Sequence, residues 1–417
     1  MGQIFRALNH RNYRLFFGGQ GISLIGTWMQ QIAMSWLVYR LTNSPLILGV
    51  VGFSSQIPSF LLAPIAGVLA DRWDRRAVLV VTQTLSMLQA FVLAFLTLTG
   101  AIRVSHIVAV SIFLGLVNSL DIPARQSFVV DMLERREDLG NAIALNSSMF
   151  NGARLVGPSV AGILIATVGE GICFLLNALS YLAVIAALLA MRITRRRVET
   201  QRPHVLRGLK DGFRYAFGFA PIKWILLLMA LISLVGMPFT VLMPVLARDV
   251  LQGGPDTLGV LMAAMGVGAL VGAMYLAARE SVRGLGRTIA IASGVFGAGL
   301  IALSLSRTLW LSMAMMAVTG FGMIVQMASS NTILQTLVDE DKRGRVMSIY
   351  AMAFVGMAPL GSLVGGALAS RIGAPATIMI GGVSCIAGSI GFAAKLPSLR
   401  EVARPTYVRL GIIPGKE

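Results

Sequence analysis

The sequence is poor in charged residues, and in acidic residues above all. Charged side chains make up 13% of the 417 residues, against roughly 25% in soluble domains, whereas 56% of the residues are hydrophobic. Only 18 residues are acidic and 35 are basic, which gives a formal net charge of +17. A chain this apolar has lipid as its main solvent, so an ordinary soluble globular protein is excluded.

Cysteine and histidine are also scarce. Cys173 and Cys385 both stand in apolar runs, which excludes a disulfide framework and predicts that they are small core residues. His10, His106 and His204 are the only histidines, and each lies in a loop or at the end of an apolar run. The sequence has no metal-ligand spacing, no nucleophile–base combination and no Walker loop for ATP. We therefore expect no metal, no cofactor and no enzymatic activity.

Long apolar runs dominate the chain, and twelve of them are long enough to cross a bilayer as helices. The first run lacks a small-residue cleavage pattern, so we expect a retained span rather than a signal peptide. The predicted spans are Tyr13–Tyr39, Leu46–Ala70, Ala77–Gly100, Val104–Ile122, Asn141–Val168, Ile172–Met191, Lys223–Ala247, Thr257–Ala278, Thr288–Ser306, Leu309–Leu337, Val346–Ser370 and Ala374–Leu396.

The basic residues predict the orientation of these spans. If the N-terminus is cytoplasmic, the outer loops hold five basic residues and, Arg154 apart, the inner side holds the remaining 29. This asymmetry follows the positive-inside rule and places both termini in the cytoplasm. Because membrane topology accounts for the positive charge, we expect no nucleic-acid partner.

The stretch between the sixth and seventh spans, residues 192–222, is the longest interruption and is strongly basic. It predicts an amphipathic helix on the anionic inner leaflet that links two halves; a partner-binding site is the alternative. The apolar stripe is Leu206, Leu209, Phe213 and Phe217, and Arg207, Lys210 and Arg214 lie off it. The expected organisation is a half at 1–191, a linker at 192–222, a half at 223–396 and a cytoplasmic tail at 397–417.

Internal repeats support two related halves. Ile22–Gly26 recurs as Ile232–Gly236, and Leu48–Val50 recurs as Leu258–Val260. Further matches pair Gly140, Phe150, Gly157, Gly162 and Gly169 with Gly344, Phe354, Gly361, Gly366 and Gly373. Both sets match each span with the span six places later, which predicts an all-α protein of two parallel six-helix halves.

One fixed charge lies within the fifth predicted span. Arg154 comes about 13 residues after Asn141, or roughly 20 Å along a helix, near the middle of a hydrocarbon core about 30 Å thick. Arginine at that depth costs about 2.5–3.5 kcal/mol on insertion scales. We expect Arg154 to line a wet path and attract an anionic or catecholate-like group. The alternative is a structural arginine that pairs with Asp121 or with backbone carbonyls.

Polar stripes on several predicted spans indicate a shared central cavity, because polar side chains within spans usually face the interior of the helix bundle rather than lipid. The alternative for each residue is hydrogen bonding between helices. The predicted substrate-binding residues are Arg154, Asn151 and Ser147 on the fifth span, Gln20, Ser23, Thr27 and Gln30 on the first, Asn118 on the fourth and Gln326 on the tenth.

Two motifs carry a family resemblance. Gly67–Arg76, GVLADRWDRR, resembles the loop between the second and third spans of the major facilitator superfamily, with Asp74 where glycine is usual. The resemblance implies a cytoplasmic latch, and Asp121 on the fourth span is a candidate partner for Arg72 or Arg75. The latch residues are Asp71, Arg72, Arg75 and Arg76. The alternative is a basic loop that only sets the topology.

The second motif lies on the fifth span. Ala153-x-x-x-Gly157-Pro158-x-x-Ala161-Gly162 resembles the pattern G-x-x-x-G-P-x-x-G-G of the superfamily's antiporters and exporters, with alanine at two glycine positions. Small residues allow close helix contact, and a proline bends a helix. The resemblance therefore favours export; ordinary helix packing is the alternative.

Residues Arg11–Phe17, Asp121–Gln126 and Asn146–Pro158 narrow the resemblance to the enterobactin-exporter-like, or transmembrane secretion effector, branch, over about residues 6–400. This implies an exporter of siderophore- or drug-like small molecules in the cell (inner) membrane that works by alternating access. We expect it to be a monomer. Proton coupling is also implied, with Asp121 as the candidate carrier because no carboxylate falls at the midplane. An uptake permease and a non-transporting membrane scaffold or sensor are the alternatives.

Overall fold

The computed structural model describes residues 5–192, 205–279, 281–409 and 412, and this part of the chain is helical without strands. The predicted all-α class is therefore confirmed. The helices before the linker are α1 (Arg11–Thr42), α2 (Pro45–Arg72), α3 (Arg75–Leu98), α4 (Val104–Asp131), α5 (Leu139–Val168) and α6 (Glu170–Ala190).

The later helices include three that continue through π-helical segments. They are α7 (Val205–Gly218), α8 (Ala220–Leu231), α9 (Phe239–Val245), α10 (Pro255–Ala277), α11 (Leu285–Leu305), α12 (Leu309–Leu337), α13 (Glu340–Ala351), α14 (Met357–Ile372) and α15 (Ala374–Arg409). The π-helical segments are Ile232–Gly236, Leu246–Val250 and Met352–Gly356. Segments of this kind recur at functional sites in other proteins.

Eleven helical stretches in the described part are long and apolar enough to cross a membrane. They count residues 220–250 as one span and residues 342–372 as another. Helix α1 is not among the eleven although it has 32 residues, because polar residues such as Gln30 and Gln31 lower its hydropathy. At about 1.5 Å per residue α1 is long enough to span the bilayer, so a twelfth span stays a prediction.

The chain divides into two compact units. The first comprises Met1–Arg202 with Ala247–Ala263, and the second comprises Pro203–Leu246 with Ala264–Glu417. In the first unit α1 packs against α5 and α6, α2 against α4, and α3 against α4 and α6. In the second, α11 packs against α12 and α15. Helix α5, which carries Arg154, is thus held directly against α1.

Hydrogen bonds secure the ends of α1 within the first unit. At its start the Tyr13 hydroxyl donates to the Ala142 carbonyl of α5 at 2.8 Å. At its other end Arg40 forms an ion pair with the buried Glu170 of α6 at 2.8 Å. The Tyr39 hydroxyl donates to the Asp249 carboxylate, which attaches the segment after α9 to this unit. These contacts fix the register of α1 against its neighbours.

Two of the matched glycine pairs of the repeat have similar local structure. Gly169 ends α5 with φ 83° and Gly373 ends α14 with φ 86°, a region that favours glycine. A Cβ on Gly157 would lie 3.0 Å from the Ile25 carbonyl, and one on Gly361 would lie 2.5 Å from the Leu234 carbonyl. The close approaches therefore occur at corresponding places, in agreement with the parallel repeat.

The predicted linker helix exists as α7. Phe213 and Phe217 stack with ring centroids 5.9 Å apart, and both are partly exposed. Gly212 packs against Arg345, whose Cβ lies 3.1 Å from the ideal Cβ position. The side chains of Leu206, Arg207, Leu209 and Lys210 lie outside the described part of the structure. Contact of this helix with anionic lipid stays a prediction.

Candidate transport site and coupling residues

The small residues of α5 form its contact with two other helical segments of the first unit. Ala153, Gly157, Pro158, Ala161 and Gly162 are all buried. A Cβ on Gly157 would lie 2.5 Å from the Trp28 Cβ, and one on Gly162 would lie 3.1 Å from the Gly259 Cα. Larger residues would force the backbones apart. The motif is therefore a packing device that places α5 against α1 and against the start of α10.

Gly157→Ala is expected to lower stability by about 1–3 kcal/mol, the usual cost of overpacking, because the added methyl would collide with Trp28 and the Ile25 carbonyl. Gly152→Ala is the matched control, since a Cβ there meets nothing within 4 Å and alanine favours a helix. Thermal unfolding of both variants in detergent measures the difference. Equal midpoints for the two variants would contradict the packing role.

Arg154 lies beside an aromatic pair. Its guanidinium carbon is 5.6 Å from the centroid of the Trp28 ring on α1, and Trp28 makes an edge contact with Phe150 at 5.6 Å. Arg154 is half-buried, and Trp28 is not its only contact. A guanidinium over an indole face keeps its planar charge while its apolar stem is covered. This combination suits a ligand that offers an anionic group beside a flat apolar part.

Four other predicted contacts have exposed or partly exposed side chains. Ser147 is exposed, and Asn151 is half-buried and donates to the Ser147 carbonyl at 2.9 Å. Thr27, one residue before Trp28, is exposed and donates to the Ser23 carbonyl at 2.9 Å. Asn118 on α4 is half-buried. Their assignment as substrate contacts stays a prediction.

Four of the predicted contacts are buried. Gln20, Ser23, Gln30 and Gln326 expose at most 5% of their surface. Gln30 donates to Gln89 of α3 at 3.1 Å and accepts from Asn177 of α6 at 2.7 Å. A side chain held in this way joins three helices, as the alternative of hydrogen bonding between helices predicts. The assignment of Gln30 as a substrate contact stays a prediction. Gln326 donates to Ser330 on its own helix.

The loop motif ties α3 to its neighbours at the start of the helix. Asp74 accepts from the Ala77 N–H at 3.1 Å and so caps α3, which explains why aspartate serves at the position where the superfamily has glycine. Arg75 pairs with Asp131 of α4 at 2.9 Å, and Arg76 donates to the Leu189 carbonyl of α6 at 2.8 Å. The side chains of Gly67, Asp71 and Arg72 lie outside the described part of the structure.

Asp121 does not pair as the sequence predicted. The carboxylate that Arg75 contacts is Asp131, ten residues further along α4, and Asp121 pairs instead with Arg125 at 2.9 Å. Its other oxygen accepts from Thr82 at 2.8 Å and from Gln83 at 2.7 Å. Asp121 is 3% exposed. The expected Arg75–Asp121 pair is wrong because Asp121 faces α3 inside the first unit. Arg72, the other predicted partner, has its side chain outside the described part of the structure.

Comparison with known sequences assigns the chain to a family. The model of the transmembrane secretion effectors matches residues 3–408. The chain belongs to the transmembrane secretion effector family. It is 28% identical over 378 residues to the staphyloferrin A transporter of Staphylococcus aureus, which covers 89% of this chain and 93% of that protein. It is 26% identical over 398 residues to the multidrug efflux pump Tap of Mycolicibacterium fortuitum, covering 92% and 93%.

Solved structures agree on the fold of this secretion effector. A bacterial homologue of the human lysosomal transporter Spinster has a TM-score of 0.69 at 14% identity, covering 96% of this chain and 98% of that chain. A human organic anion transporter has a TM-score of 0.64 at 14% identity, covering 92% and 99%. The major facilitator fold is therefore confirmed. The secretion effector is a multi-pass membrane transporter of the inner membrane, and the prediction that it is not an enzyme is confirmed.

A polar face on α3 was missed from the sequence. Thr82, Gln83, Ser86 and Gln89 are each at most 5% exposed, and Asn177 of α6 is fully buried. The spacing of Thr82, Ser86 and Gln89 by four and three residues was a readable signal, because such spacing puts them on one helix face. The spacing did not show which way this face points, since a polar face can point to a cavity or to other helices.

Proposed function

We propose that this secretion effector exports siderophore- or drug-like small molecules across the inner membrane by alternating access, in exchange for protons. The observation that supports this most is the placement of Arg154 over Trp28 on a helix packed through small residues. A fixed charge beside an aromatic ring in an apolar helix costs insertion energy, which a recognition role explains. Pure scaffolding does not require that combination.

The names of the relatives cover both cargo classes. One transports staphyloferrin A, one is a multidrug efflux pump, and the macrolide efflux protein A of Streptococcus pyogenes is 23% identical over 397 residues. Arg154 would bind an anionic group of the cargo and Trp28 would cover its apolar part. Thr27, Ser147, Asn151 and Asn118 are the proposed further contacts.

The remaining parts of the chain have supporting roles in this proposal. Gly157, Pro158 and Gly162 let α5 pivot closely against α1, and the loop residues Asp71, Arg72, Arg75 and Arg76 act as the latch. The halves are residues 1–191 and 223–396, joined by the linker 192–222 and followed by the tail 397–417. The transporter acts as a monomer, and its basic linker contacts anionic lipid.

Asp121 is the proposed proton carrier. It is a buried carboxylate with one oxygen held by Thr82 and Gln83 and the other paired with Arg125. A proton that binds the oxygen facing Arg125 removes the charge that holds the guanidinium. Arg125 lies two residues after Pro123, which interrupts the backbone hydrogen bonding of α4. Release of Arg125 therefore acts at a weak point of this helix.

Everted membrane vesicles test direction and coupling together. We expect vesicles with the protein to accumulate a labelled macrolide or staphyloferrin A when respiration acidifies their interior, and to lose it when a protonophore is added. Vesicles from cells without the gene are the control. Accumulation in right-side-out vesicles instead would favour the uptake permease, and binding without any transport would favour the scaffold or sensor.

A further inference from the structure

A second group of polar side chains lies inside the first unit, on helices other than the α5 helix that carries Arg154. It spans α1, α3 and α6, and each member is at most 5% exposed. In a membrane protein every such group needs a partner, because lipid supplies none. We call this group the inner polar chain; its members are Gln30, Thr82, Gln83, Ser86, Gln89, Asn177 and Tyr181.

The contacts of the inner polar chain run in two blocks. In one block Thr82 and Gln83 donate to Asp121. In the other, Asn177 donates to Gln30 at 2.7 Å and Gln30 donates to Gln89 at 3.1 Å. The Tyr181 hydroxyl lies among the side chains of Thr27, Ser86 and Asn177. Thr27 is exposed, so this second block reaches from solvent-accessible surface into the helix packing.

An unpaired acceptor and an unpaired donor mark the break between the blocks. The Gln83 Oε1 and the Gln89 Nε2 are buried without a hydrogen-bond partner. The two residues are six positions apart on α3, or about 9 Å along the helix axis. Unpaired buried groups are rare and costly, and ordered water usually satisfies them. Water placed here would accept from Gln89 and donate to Gln83.

We propose that the inner polar chain, completed by this water, is a proton path that leads from the surface at Thr27 to Asp121 inside the first unit. The proposal rests on the proton coupling in the proposed function. The waters carry the proton, and the glutamine amides, Ser86 and Tyr181 orient them. By the predicted orientation Gln30 is nearer the outer side and Asp121 nearer the cytoplasm, so the path delivers protons inward.

The proton transfer itself is simple. One O–H bond of a hydronium ion breaks, and its proton forms a new O–H bond with the Asp121 oxygen that faces Arg125. The carboxylate becomes neutral, its ion pair with Arg125 is lost, and the donating water is left neutral. In the described part of the chain the ionisable groups near Asp121 are Arg125 on α4 and Tyr181 on α6. Its contacts on α3 are the neutral side chains of Thr82 and Gln83.

A structural polar zipper is the competing explanation. A zipper gains its stability by pairing every donor with an acceptor, and it would not leave the buried Gln83 Oε1 and Gln89 Nε2 without partners. Gln83 is also the residue that donates to the buried Asp121 carboxylate. A hydrated path needs polar atoms that are free to bind water, and the unpaired Gln83 Oε1 and Gln89 Nε2 supply them at the break.

Time-resolved infrared spectroscopy of the purified full-length protein tests the path without a cargo. A rapid change from alkaline to acidic buffer should increase the infrared absorbance of the protonated Asp121 carboxyl group. The band is assigned to Asp121 by its absence in the Asp121→Asn variant. In Gln89→Met the band should reach the same height about tenfold more slowly, because an apolar side chain of similar length cannot hold the water. Gln83→Met should slow it likewise.

Gln31→Met is the matched control, since Gln31 is exposed on α1, and its band should rise at the wild-type rate. Thermal unfolding shows that each variant is folded. Wild-type kinetics in both Gln89→Met and Gln83→Met would overturn the path and leave Asp121 as carrier. Absence of the band in the wild type would overturn both the path and Asp121 as carrier. Export itself is judged independently by the vesicle experiment.

Discussion

Arg154→Ala is expected to insert and fold normally yet to lose export by about tenfold to a hundredfold. A hydrogen bond to a charged group contributes about 1.5–3 kcal/mol, and each 1.36 kcal/mol corresponds to about tenfold in rate. Folding should not suffer, because removal of a charge near the midplane relieves an insertion cost of about 2.5–3.5 kcal/mol. Efflux from cells with matched protein levels, judged by immunoblot, is the measurement.

Two further variants separate cargo binding from helix packing at this position. Arg154→Lys keeps the charge but loses the planar group that lies over Trp28, so it should restore part of the export. Arg154→Met keeps the apolar stem alone and should behave as alanine does. Normal efflux by a well-expressed Arg154→Ala protein would end the proposal that Arg154 binds cargo. A loss of thermal stability that parallels the loss of export would make the arginine structural.

Asp121→Asn is expected to abolish uphill transport driven by a pH gradient while downhill exchange of cargo continues. Asparagine keeps an acceptor oxygen for Thr82 and Gln83, so the contact with α3 survives. It cannot release or bind the proton, and Arg125 loses its partner charge. Since Arg125 is partly exposed, the cost in stability should be about 1–2 kcal/mol, below that of breaking a fully buried pair. Proteoliposomes with an imposed pH gradient measure the transport.

Glu134→Gln is the matched control for this charge removal, because Glu134 is an exposed carboxylate just after α4. It should leave gradient-driven transport unchanged. If Asp121→Asn transports uphill as the wild type does, Asp121 is not the carrier. If the variant loses both uphill transport and downhill exchange, the carboxylate serves folding or the transport movement rather than coupling.

Local patterns predicted the elements that depend on neighbours in sequence. Most apolar runs became helices close to their predicted bounds, and the glycines at 169 and 373 end helices at corresponding places. The motif from Ala153 to Gly162 gave a buried small-residue face as expected. Such features follow from composition and spacing, which the sequence contains directly.

Partners across helices were the part that spacing could not supply. Arg75 pairs with Asp131 rather than with Asp121, and Asp121 turns to α3. Both aspartates lie on α4, ten residues apart, and a sequence shows their positions but not which neighbouring helix each of them faces. Gln30 illustrates the same limit, since its position on α1 did not show that its amide bonds to α3 and α6.

The sequence by itself determined that this protein is a helical membrane transporter of the secretion effector family, because apolar runs, basic loops and two motifs are properties of the chain alone. Only the tertiary structure decided what surrounds its buried polar groups. Arg154 meets Trp28 of α1, while Asp121 accepts from Thr82 and Gln83 of α3. The rotation of each helix about its axis sets these contacts, and packing against several neighbours at once sets that rotation.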